Sequence, residues 1–414
     1  MALHTGSSSS TGKQGQILSL YHLLNPEVLA DPYPLYHRLR SEDPVHWDPF
    51  LHAWVVTRYA DVVTVLQHFS ANRTPTPEQL TALGLSTFAP LAEVLVRQML
   101  FLDPPAHGRL RALAAKAFTP GRVETLRLHI QDITDSLLDA VRAKGHMDVI
   151  ADLAYPLPAI VTAEMLGLPT TDWQQLTAWS ADFAEALGNF QHNPDHAPRV
   201  LHSLTEMTAY FRSAIQEHRG HPRDDLISAL LTAEEGGDCL SEEEVVANSI
   251  MLMTGGQETT TNLIGNGLLT LLRHSDQLAK LRADLSLIPS AIEELLRYES
   301  PIQYTSRLAP HDVQMGGETI RKRQAVIAVI GAANRDPGRF PDPDRLDICR
   351  QDNRHLAFAW AAHFCFGAPL ARLESQIAFE TVLRRMPSLN LKPGPVTWRE
   401  NLSFRGLMTL PVTF

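Results

Sequence analysis

One stretch of the sequence constrains the fold more than any other: a helical pattern that begins at Ser241 and continues to about His274. Ser241 and Glu244, three residues later, form a capping box, which is typical of a helix N-terminus. The pattern covers roughly 33 residues, or about 50 Å at 1.5 Å per residue, so this helix must cross the whole molecule. Residues 250–253 in its middle are apolar on every side and are expected to be buried.

Shorter helical segments lie on both sides of this helix, separated by Pro, Gly and Asn residues that begin or end helices. The predicted segments are 33–42, 59–68, 105–118, 122–143, 155–166, 170–188, 197–219, 223–234, 276–284, 289–299 and 368–385. Short alternating runs predict strands at 45–47, 54–57, 304–308, 312–315 and 325–330. The sequence therefore predicts a mainly α protein with small peripheral β-sheets.

The composition indicates a globular chain with an acidic balance. No long linker divides the 414 residues, so we expect one domain over 17–414 after a disordered polar tail at 1–16. The net charge of −10 argues against nucleic acid or an anionic membrane as a partner. No run reaches the ~18 apolar residues of a membrane span. Cys239, Cys349 and Cys365 lack metal-site spacing and cannot all pair, which suits a reducing cytoplasm.

Residues 358–374 form a pattern in which a loop presents Cys365 and then turns into a helix, because Pro369 suits a first helical turn. Cys365 then precedes a helix N-terminus, whose partial positive charge favours a thiolate over a thiol. A thiolate in an apolar setting is what a haem iron needs from a single axial cysteine. Taken alone, Cys365 would be interpreted as a buried free cysteine that packs as a small hydrophobic residue.

A second motif lies midway along the long helix, where Gly255 and Gly256 precede Gln257, Glu258 and Thr259. A glycine inside a helix costs about 1 kcal/mol relative to alanine, and one interpretation is a kink with incidental polar residues. The other interpretation is functional. The glycine pair lets a ligand approach the backbone, and a hydroxyl beside a carboxylate can supply protons to that ligand.

Two charged pairs share helical faces. Glu294 and Arg297 are three residues apart and can pair, which by itself would indicate only a surface ion pair. His107 and Arg111 are four residues apart, so they are neighbours on one face. If that face is internal the cationic pair needs an anion; otherwise both are solvated basic residues.

These motifs follow the order found in the cytochrome P-450 family, which the chain resembles from about residue 33 to its C-terminus. Phe358, His363, Cys365 and Gly367 match the family's haem-binding loop, and the sequence that follows is similar to that of its soluble bacterial members. Residues 254–260 match its oxygen-activation groove.

The same loop differs from those members at two positions, and the second of them departs from the family's defining pattern. Ala359 and Ala361 stand where such members often carry glycine. Alanine with a positive φ is strained by about 1 kcal/mol or more. Either the loop avoids that conformation at Ala361, or it shifts around the sulfur.

The resemblance implies the family's triangular helical prism, with haem b between the long helix and the helix that follows Cys365. It implies that Cys365 is the axial ligand of the haem iron, that Thr259 stabilises bound oxygen and that Glu258 relays protons. The other haem contacts that it implies are His107, Arg111, Arg307, His363, Gly255, Phe358 and Gly367. It also implies that Arg350 completes a structural clamp with Glu294 and Arg297.

The implied activity is that of a monooxygenase, which inserts one atom of O2 into an apolar or mixed small molecule by hydroxylation or epoxidation. We expect a separate ferredoxin or flavodoxin to dock on the cysteine side. The expected docking residues are Arg109, Lys116, Arg354 and Arg372. Two alternatives remain: a peroxide-driven haem-thiolate enzyme and a haem protein without turnover. The Glu258–Thr259 pair favours dioxygen.

Family position also predicts the walls of the substrate pocket, at 72–101, 170–204, 251–255, 301–305 and 402–407. Lining residues are expected to be Met253, Gly255, Ile302, Gln303 and Leu402. Gln257, Gln303 and Tyr304 could each add a hydrogen bond, although a packing role suits them as well. We expect a monomer.

Overall fold

Helices dominate the computed structural model, which describes residues 18–188, 196–235 and 237–414. The α-helices of this part of the chain are α1 (Pro26–Ala30), α2 (Tyr33–Glu42), α3 (Tyr59–His68), α4 (Pro77–Ala82), α5 (Ala89–Leu95), α6 (Ala106–Ala117), α7 (Pro120–Thr125), α8 (Arg127–Arg142), α9 (Pro156–Met165), α10 (Trp173–Gly188), α11 (Ala197–Gly220), α12 (Leu226–Thr232), α13 (Glu242–Arg273), α14 (Ser275–Ala283), α15 (Ile288–Tyr298), α16 (Ile330–Ala333) and α17 (Ala368–Arg385). The predicted mainly α architecture is confirmed. The tail expected at 1–16 lies outside the described residues.

The strands are short and form small sheets. They are β1 (Val45–Asp48), β2 (Ala53–Val56), β3 (His146–Asp148), β4 (Glu234–Glu235), β5 (Asp238–Cys239), β6 (Thr305–Leu308), β7 (Val313–Met315), β8 (Glu318–Ile320), β9 (Ala325–Ala328), β10 (Asn390–Leu391) and β11 (Pro411–Thr413). The largest sheet has the order β1-β2-β9-β6, in which β2 and β9 are parallel. A second sheet has the order β10-β11-β3, and β4–β5 and β7–β8 are hairpins.

Most predicted helices agree with the observed ones to within three residues at each end. The main error is the segment 122–143, which divides at Leu126 into α7 and α8. The sequence analysis also missed β3, β8 and the short helices α4 and α5. These elements are too short to produce a clear periodic pattern, and packing against neighbours decides them.

The long helix α13 is the axis of the core. Its capping box forms as predicted: the Ser241 hydroxyl accepts the Glu244 N–H at 3.2 Å, and the Glu244 carboxylate accepts the Ser241 N–H at 2.8 Å. The helix packs against α9, α10, α11, α15 and α17. Gly267 permits the approach of α17, because a Cβ there would lie 2.7 Å from the ring of Phe379.

The apolar middle of α13 is less completely covered than the sequence predicts. Ile250 and Met253 are fully buried, but Met251 and Leu252 are only partly buried, because neighbouring elements leave that side of the helix open. In the described ranges, none of the helices is both long enough and apolar enough to cross a membrane.

A buried ionic cluster on α15 fixes the irregular run that follows α16. The carboxylate of Glu294 accepts two hydrogen bonds from Arg297, both at 2.8 Å, and two from the Nε of Arg350, at 3.1 and 3.3 Å. Arg297 also donates to the carbonyl oxygens of Asn334 and Pro343. Glu294 and Arg297 are fully buried, so this is no surface ion pair.

We predict that Glu294→Gln lowers the free energy of unfolding by about 3–5 kcal/mol, because it leaves the fully buried guanidinium of Arg297 and the partly buried one of Arg350 without their carboxylate. Urea unfolding, with haem content recorded in parallel, measures the loss. Glu42→Gln is the matched control: Glu42 pairs with Arg38 on an exposed helix face, and its loss should cost about 0.5 kcal/mol or less. Equal stability of the two variants would contradict the clamp.

Candidate active site

The loop before α17 leaves Cys365 with accessible surface. The Cys365 N–H donates to the carbonyl of Phe358 at 2.8 Å, which closes the loop. The cysteine keeps accessible surface, yet burial raises the pKa of its thiol. The N–H groups of Gly367 and Ala368, with Arg111, act in the opposite direction but do not outweigh burial. The helix N-terminus thus acts on Cys365 in the predicted direction, but burial outweighs it for the free thiol. A bound metal ion deprotonates a coordinating thiol outright.

Phe358 is held by a cation from α17. The guanidinium of Arg372 lies 4.5 Å from the centre of the Phe358 ring and donates to Glu293 at 2.7 and 2.8 Å. Burial by itself raises the pKa of Glu293, but the hydrogen bonds from Arg372 and His355 outweigh it and lower that pKa to about 2. Glu293 on α15 therefore fixes the loop from one side, next to the Glu294 clamp.

Both alanines in the loop adopt a positive φ. The angle is 59° at Ala359 and 54° at Ala361. The first of the two alternatives is wrong: the loop keeps the left-handed conformation at Ala361 instead of avoiding it. Two alanines in this region store about 1 kcal/mol or more each.

The glycine pair in the middle of α13 has two different roles. A Cβ on Gly256 would lie 2.7 Å from the hydroxyl of Thr162, so this glycine allows α9 to pack closely. A Cβ on Gly255 would meet nothing within 4 Å. Gly255 is exposed and Thr259 is partly exposed, although most of the other residues in this part of α13 are buried. We infer that Gly255 and Thr259 line an interior space beside α13.

Glu258 points away from the Thr259 hydroxyl. Its carboxylate is fully buried and accepts hydrogen bonds from Arg399, in the loop between β10 and β11, and from Asn262 at 3.2 Å. Its second oxygen, Oε2, has no hydrogen-bond partner among the described residues. The Thr259 hydroxyl donates to the carbonyl of Gly255 at 2.8 Å. The sequence analysis missed Arg399, because only tertiary packing brings it to α13.

A group of basic side chains meets in front of the cysteine loop. The rings of His107 on α6 and His363 lie 4.1 Å apart. Burial, with the neighbouring Arg307, His107 and Arg73, lowers the pKa of His363 to about 3, and burial also lowers the pKa of His107, so the cations of this group are its arginines. Burial also lowers the pKa of Arg307 to about 10, and its Nε is buried without a partner in the described part of the chain. Asp103 is the carboxylate among these neighbours.

Arg111 adjoins this group, because burial and the charge of Arg111 lower the pKa of His107. Arg111 also donates to the carbonyl of Phe364 at 2.7 Å, and burial lowers its own pKa. Arg73, which the sequence analysis did not select, joins the group as well. The signal that could have identified Arg73 is weak, because one arginine in an irregular segment has no spacing that sets it apart.

The predicted pocket residues fall into two groups: apolar side chains, and polar side chains that already form hydrogen bonds within the protein. Met253 and Leu402 are buried, and Ile302 is partly buried and forms an isolated β-bridge with Phe404. Gln303 donates to the carbonyl of Ser300 at 2.7 Å, so its amide is engaged in the core. The other two polar candidates are engaged as well: Gln257 donates to Thr261 at 3.2 Å and Tyr304 to the carbonyl of Gly188 at 3.3 Å.

The residues of this site fit a haem. Buried cations without sufficient carboxylate partners need an anion, since an unpaired buried charge costs several kcal/mol, and haem carries two carboxylates. Gly255 and Gly367 border open space, and Cys365 faces an interior opening. A single cysteine in an apolar surrounding supplies the axial ligand.

Comparison with known proteins identifies close relatives of the whole chain. Residues 53–409 match the family model described as cytochrome P450. The biotin biosynthesis cytochrome P450 of Bacillus subtilis (strain 168) is 42% identical over 391 residues, which is 94% of this chain and 97% of that relative.

Two solved structures are similar at the level of fold. The crystal structure of P450BioI in complex with an acyl carrier protein ligated to hexadec-9Z-enoic acid has a TM-score of 0.88 at 42% identity, over 94% of this chain and 100% of that one. The structure of the myxobacterial cytochrome P450 CYP267B1 in complex with myristic acid has a TM-score of 0.86 at 39% identity, over 95% of this chain and 98% of that one.

We predict that Ala361→Gly raises the free energy of unfolding by about 1 kcal/mol or less, because glycine has no strain at a positive φ. Ala362→Gly is the matched control: Ala362 is exposed in the same loop and is not among the residues with positive φ, so glycine there should destabilise by about 0.5–1 kcal/mol. Chemical unfolding measures both changes.

The same variants test the axial ligand. Reduced, carbon monoxide-bound protein should show the red-shifted thiolate band in the wild type and in both glycine variants. A changed axial ligand in Ala361→Gly would contradict the loop geometry, and absence of the band from the wild type would rule out Cys365 as the ligand.

Proposed function

The chain belongs to the cytochrome P450 family, and from that premise we propose that it hydroxylates or epoxidises an extended aliphatic acyl chain. It is a haem monooxygenase with the fold of this family. The carboxylate–hydroxyl pair Glu258 and Thr259 on the helix that borders the interior space carries the proposal, because activation of dioxygen consumes protons that must be delivered inside the protein.

An aliphatic substrate suits the buried surface that the pocket offers. Met253 and Leu402 contribute apolar surface, while the side chains of Gln257 and Gln303 are engaged within the protein. Two similar solved structures hold fatty acyl groups, hexadec-9Z-enoic acid on a carrier protein in one and myristic acid in the other. Each methylene group that the substrate buries against an apolar wall contributes about 0.8 kcal/mol to the binding free energy.

The residues of the site would divide the work between holding the cofactor and moving protons. Haem bound through Cys365 supplies the chemistry that activates O2 and inserts one oxygen atom into the substrate. Cys365 would ligate the iron, and His107, Arg307 and His363 would hold the haem carboxylates. Met253 and Leu402 exclude water and orient the chain.

Proton delivery falls to Glu258 and Thr259. Arg399 and Asn262 hold one oxygen of the Glu258 carboxylate, and Oε2 is left for a bridging water, since a buried unpaired oxygen of this kind normally takes one. The side chain of Arg399 is 20% exposed, so this ion pair reaches toward solvent. We propose that protons pass from the Glu258 side to the Thr259 hydroxyl, which borders the interior space.

Electrons would come from a small acidic ferredoxin or flavodoxin that docks beside the cysteine loop. Two of the four predicted docking residues have their charges engaged: Arg109 pairs with Glu244 and Arg372 with Glu293. Lys116, whose ammonium group donates to the carbonyl of Glu234 at 2.6 Å, and Arg354 are exposed and would carry the contact. The three free cysteines suit a reducing compartment, which supports a cytoplasmic location.

The proposed function is tested by turnover of myristic acid with a surrogate ferredoxin and its reductase, and separately with hydrogen peroxide. We predict oxidised fatty acid with the ferredoxin pair. Glu258→Gln should lower this rate about 100-fold or more, because general acid–base catalysis contributes roughly 100- to 10,000-fold, while the spectral shift on substrate binding stays unchanged. Product is measured by mass spectrometry.

Each alternative gives a different outcome in this assay. Peroxide-driven turnover that exceeds the ferredoxin-driven rate and does not respond to Glu258→Gln would identify a peroxide-dependent enzyme. A spectral shift with no product under either condition would identify a haem protein without turnover. Absence of any shift with fatty acids would contradict the substrate class alone.

We predict that Arg354→Glu slows reduction of the haem by an acidic ferredoxin about tenfold at low ionic strength, with the difference shrinking as salt is added. Stopped-flow spectroscopy measures the rate. Lys392→Glu is the matched control, an equal change of charge on an exposed residue beside β10. If both variants reduce at the wild-type rate, docking does not use this surface.

A further inference from the structure

The ring of His355 is fixed between two partners at the entry of the cysteine loop. The Ala357 N–H donates to Nδ1 of His355 at 3.2 Å, so Nδ1 carries a lone pair and no proton. Nε2 lies 3.1 Å from Oε2 of Glu293, which is an acceptor, so Nε2 carries the proton. The side chain is 3% exposed, so solvent replaces neither partner. The ring that fits this place is therefore neutral imidazole with its proton on Nε2.

Arg372 explains how this ring stays neutral beside a carboxylate, which by itself would favour the imidazolium form. The guanidinium of Arg372 donates to both oxygens of Glu293, at 2.7 and 2.8 Å, so the ring faces a carboxylate whose charge is already matched. Although burial raises the pKa of Glu293, the hydrogen bonds from Arg372 and His355 lower it to about 2, and Glu293 stays an acceptor.

The other polar groups that surround the loop entry are engaged within the protein. On α15, Glu294 is bound by the two arginines of the clamp. After α16, the neutral amide of Asn334 accepts the Leu356 N–H at 2.7 Å. From α3, the phenol of Tyr59 donates to the carbonyl of Arg354 at 2.6 Å. The protonation state of His355 is therefore governed by Glu293 with Arg372 behind it.

The bond between Ala357 and His355 holds the backbone directly before the residue that closes the cysteine loop. The next residue, Phe358, accepts the Cys365 N–H on its carbonyl at 2.8 Å, and its ring lies 5.8 Å from that of His355. Protonation of Nδ1 would set two N–H donors against each other and break the bond to Ala357. The peptide group that would shift is adjacent to Phe358, so the shift would reach Cys365.

We propose that His355 is a positioning residue for Cys365: as a neutral ring it holds the loop that brings the sulfur to the haem iron, and as a cation it releases that loop. The inference rests on the proposed function, since it requires Cys365 to be the iron ligand. The closed loop accepts only the neutral ring, whereas an opened loop accepts either form. Falling pH therefore favours the opened loop, by linkage to one proton on His355.

The first test follows loss of the red-shifted thiolate band from the reduced, carbon monoxide-bound holoenzyme, at one elevated temperature and between about pH 8 and about pH 5. His355→Asn supplies a side-chain oxygen that can accept the Ala357 N–H in an Asx turn, but it does not titrate. Acid also protonates the departing sulfur, and does so equally in every variant. The wild-type rate should therefore rise more steeply than that of His355→Asn, by up to about tenfold more for each pH unit.

Two further variants separate titration from packing. His355→Gln reaches Glu293 but offers no acceptor to Ala357, so it should lose the band quickly at every pH, with the shallow slope of His355→Asn. His129→Asn is the matched control, because His129 pairs with Glu164 on an exposed surface, and its slope should equal that of the wild type. Equal slopes for the wild type and His355→Asn would overturn the proposal, whatever the stabilities of the variants.

Arg372→Gln tests the charge balance without touching the His355 ring. An unmatched Glu293 favours imidazolium, so the acid-dependent loss of the band should begin about one pH unit higher than in the wild type. The double variant Arg372→Gln/His355→Asn should show no such shift, because nothing is left at position 355 to titrate. A shift that persists in the double variant would show that Arg372 acts only through its contact with the Phe358 ring.

The tautomer is measured directly by nuclear magnetic resonance of the reduced, carbon monoxide-bound protein with nitrogen-15-labelled histidine. The signals that disappear in His355→Asn belong to this ring and should show a proton on Nε2 alone at about pH 7.5. A ring protonated on Nδ1 would overturn the proposal. A wild type without the thiolate band at any pH would remove both the ligand and this inference, whereas a normal band without oxidised fatty acid would contradict the proposed substrate alone.

Discussion

The carboxylate of Glu294 is the constraint on which the rest of this structure depends. It is fully buried, and four hydrogen bonds from two guanidinium groups converge on it, together with one from the backbone of Asp347. Arg297 extends the cluster to carbonyl groups of the irregular run after α16. A stretch without regular hydrogen bonding must satisfy its polar groups some other way, and this ionic cluster does it.

The geometry of the active site depends on this clamp of Glu294, Arg297 and Arg350. Glu293, the neighbour of Glu294 on α15, binds Arg372 and His355 and so fixes the ring of Phe358, whose carbonyl closes the Cys365 loop. Glu294 thus holds the irregular run that leads to the cysteine loop, and its neighbour Glu293 holds the loop itself. This firm support is the reason that the loop can keep two alanines at positive φ, a strain that a looser segment would relax.

Charge is arranged in opposite ways on the two sides of the interior space. Beside α13, the carboxylate of Glu258 is matched by Arg399, and the pair lies at the border between solvent and core. In front of the cysteine loop, the buried Arg307 and the partly buried Arg73 are electrostatic neighbours, and Asp103, the carboxylate near Arg307, already accepts hydrogen bonds from Ser70 and Ala71. The Glu258–Arg399 pair keeps a carboxyl group in the core, whereas the positive charge of Arg307 and Arg73 is balanced only when an anionic ligand binds.

The sequence by itself determined the helical architecture, the capping box at Ser241, the cysteine loop and the family, because these features depend on local periodicity and on motifs of fixed spacing. It placed Glu294, Arg297 and Arg350 as partners, and the structure brings them together. Only the tertiary structure decided the partner of Glu258, the different roles of Gly255 and Gly256, and the place of Arg73. Each of these depends on contacts between segments far apart in the chain, and a side chain's charge or size does not encode which distant segment will pack against it.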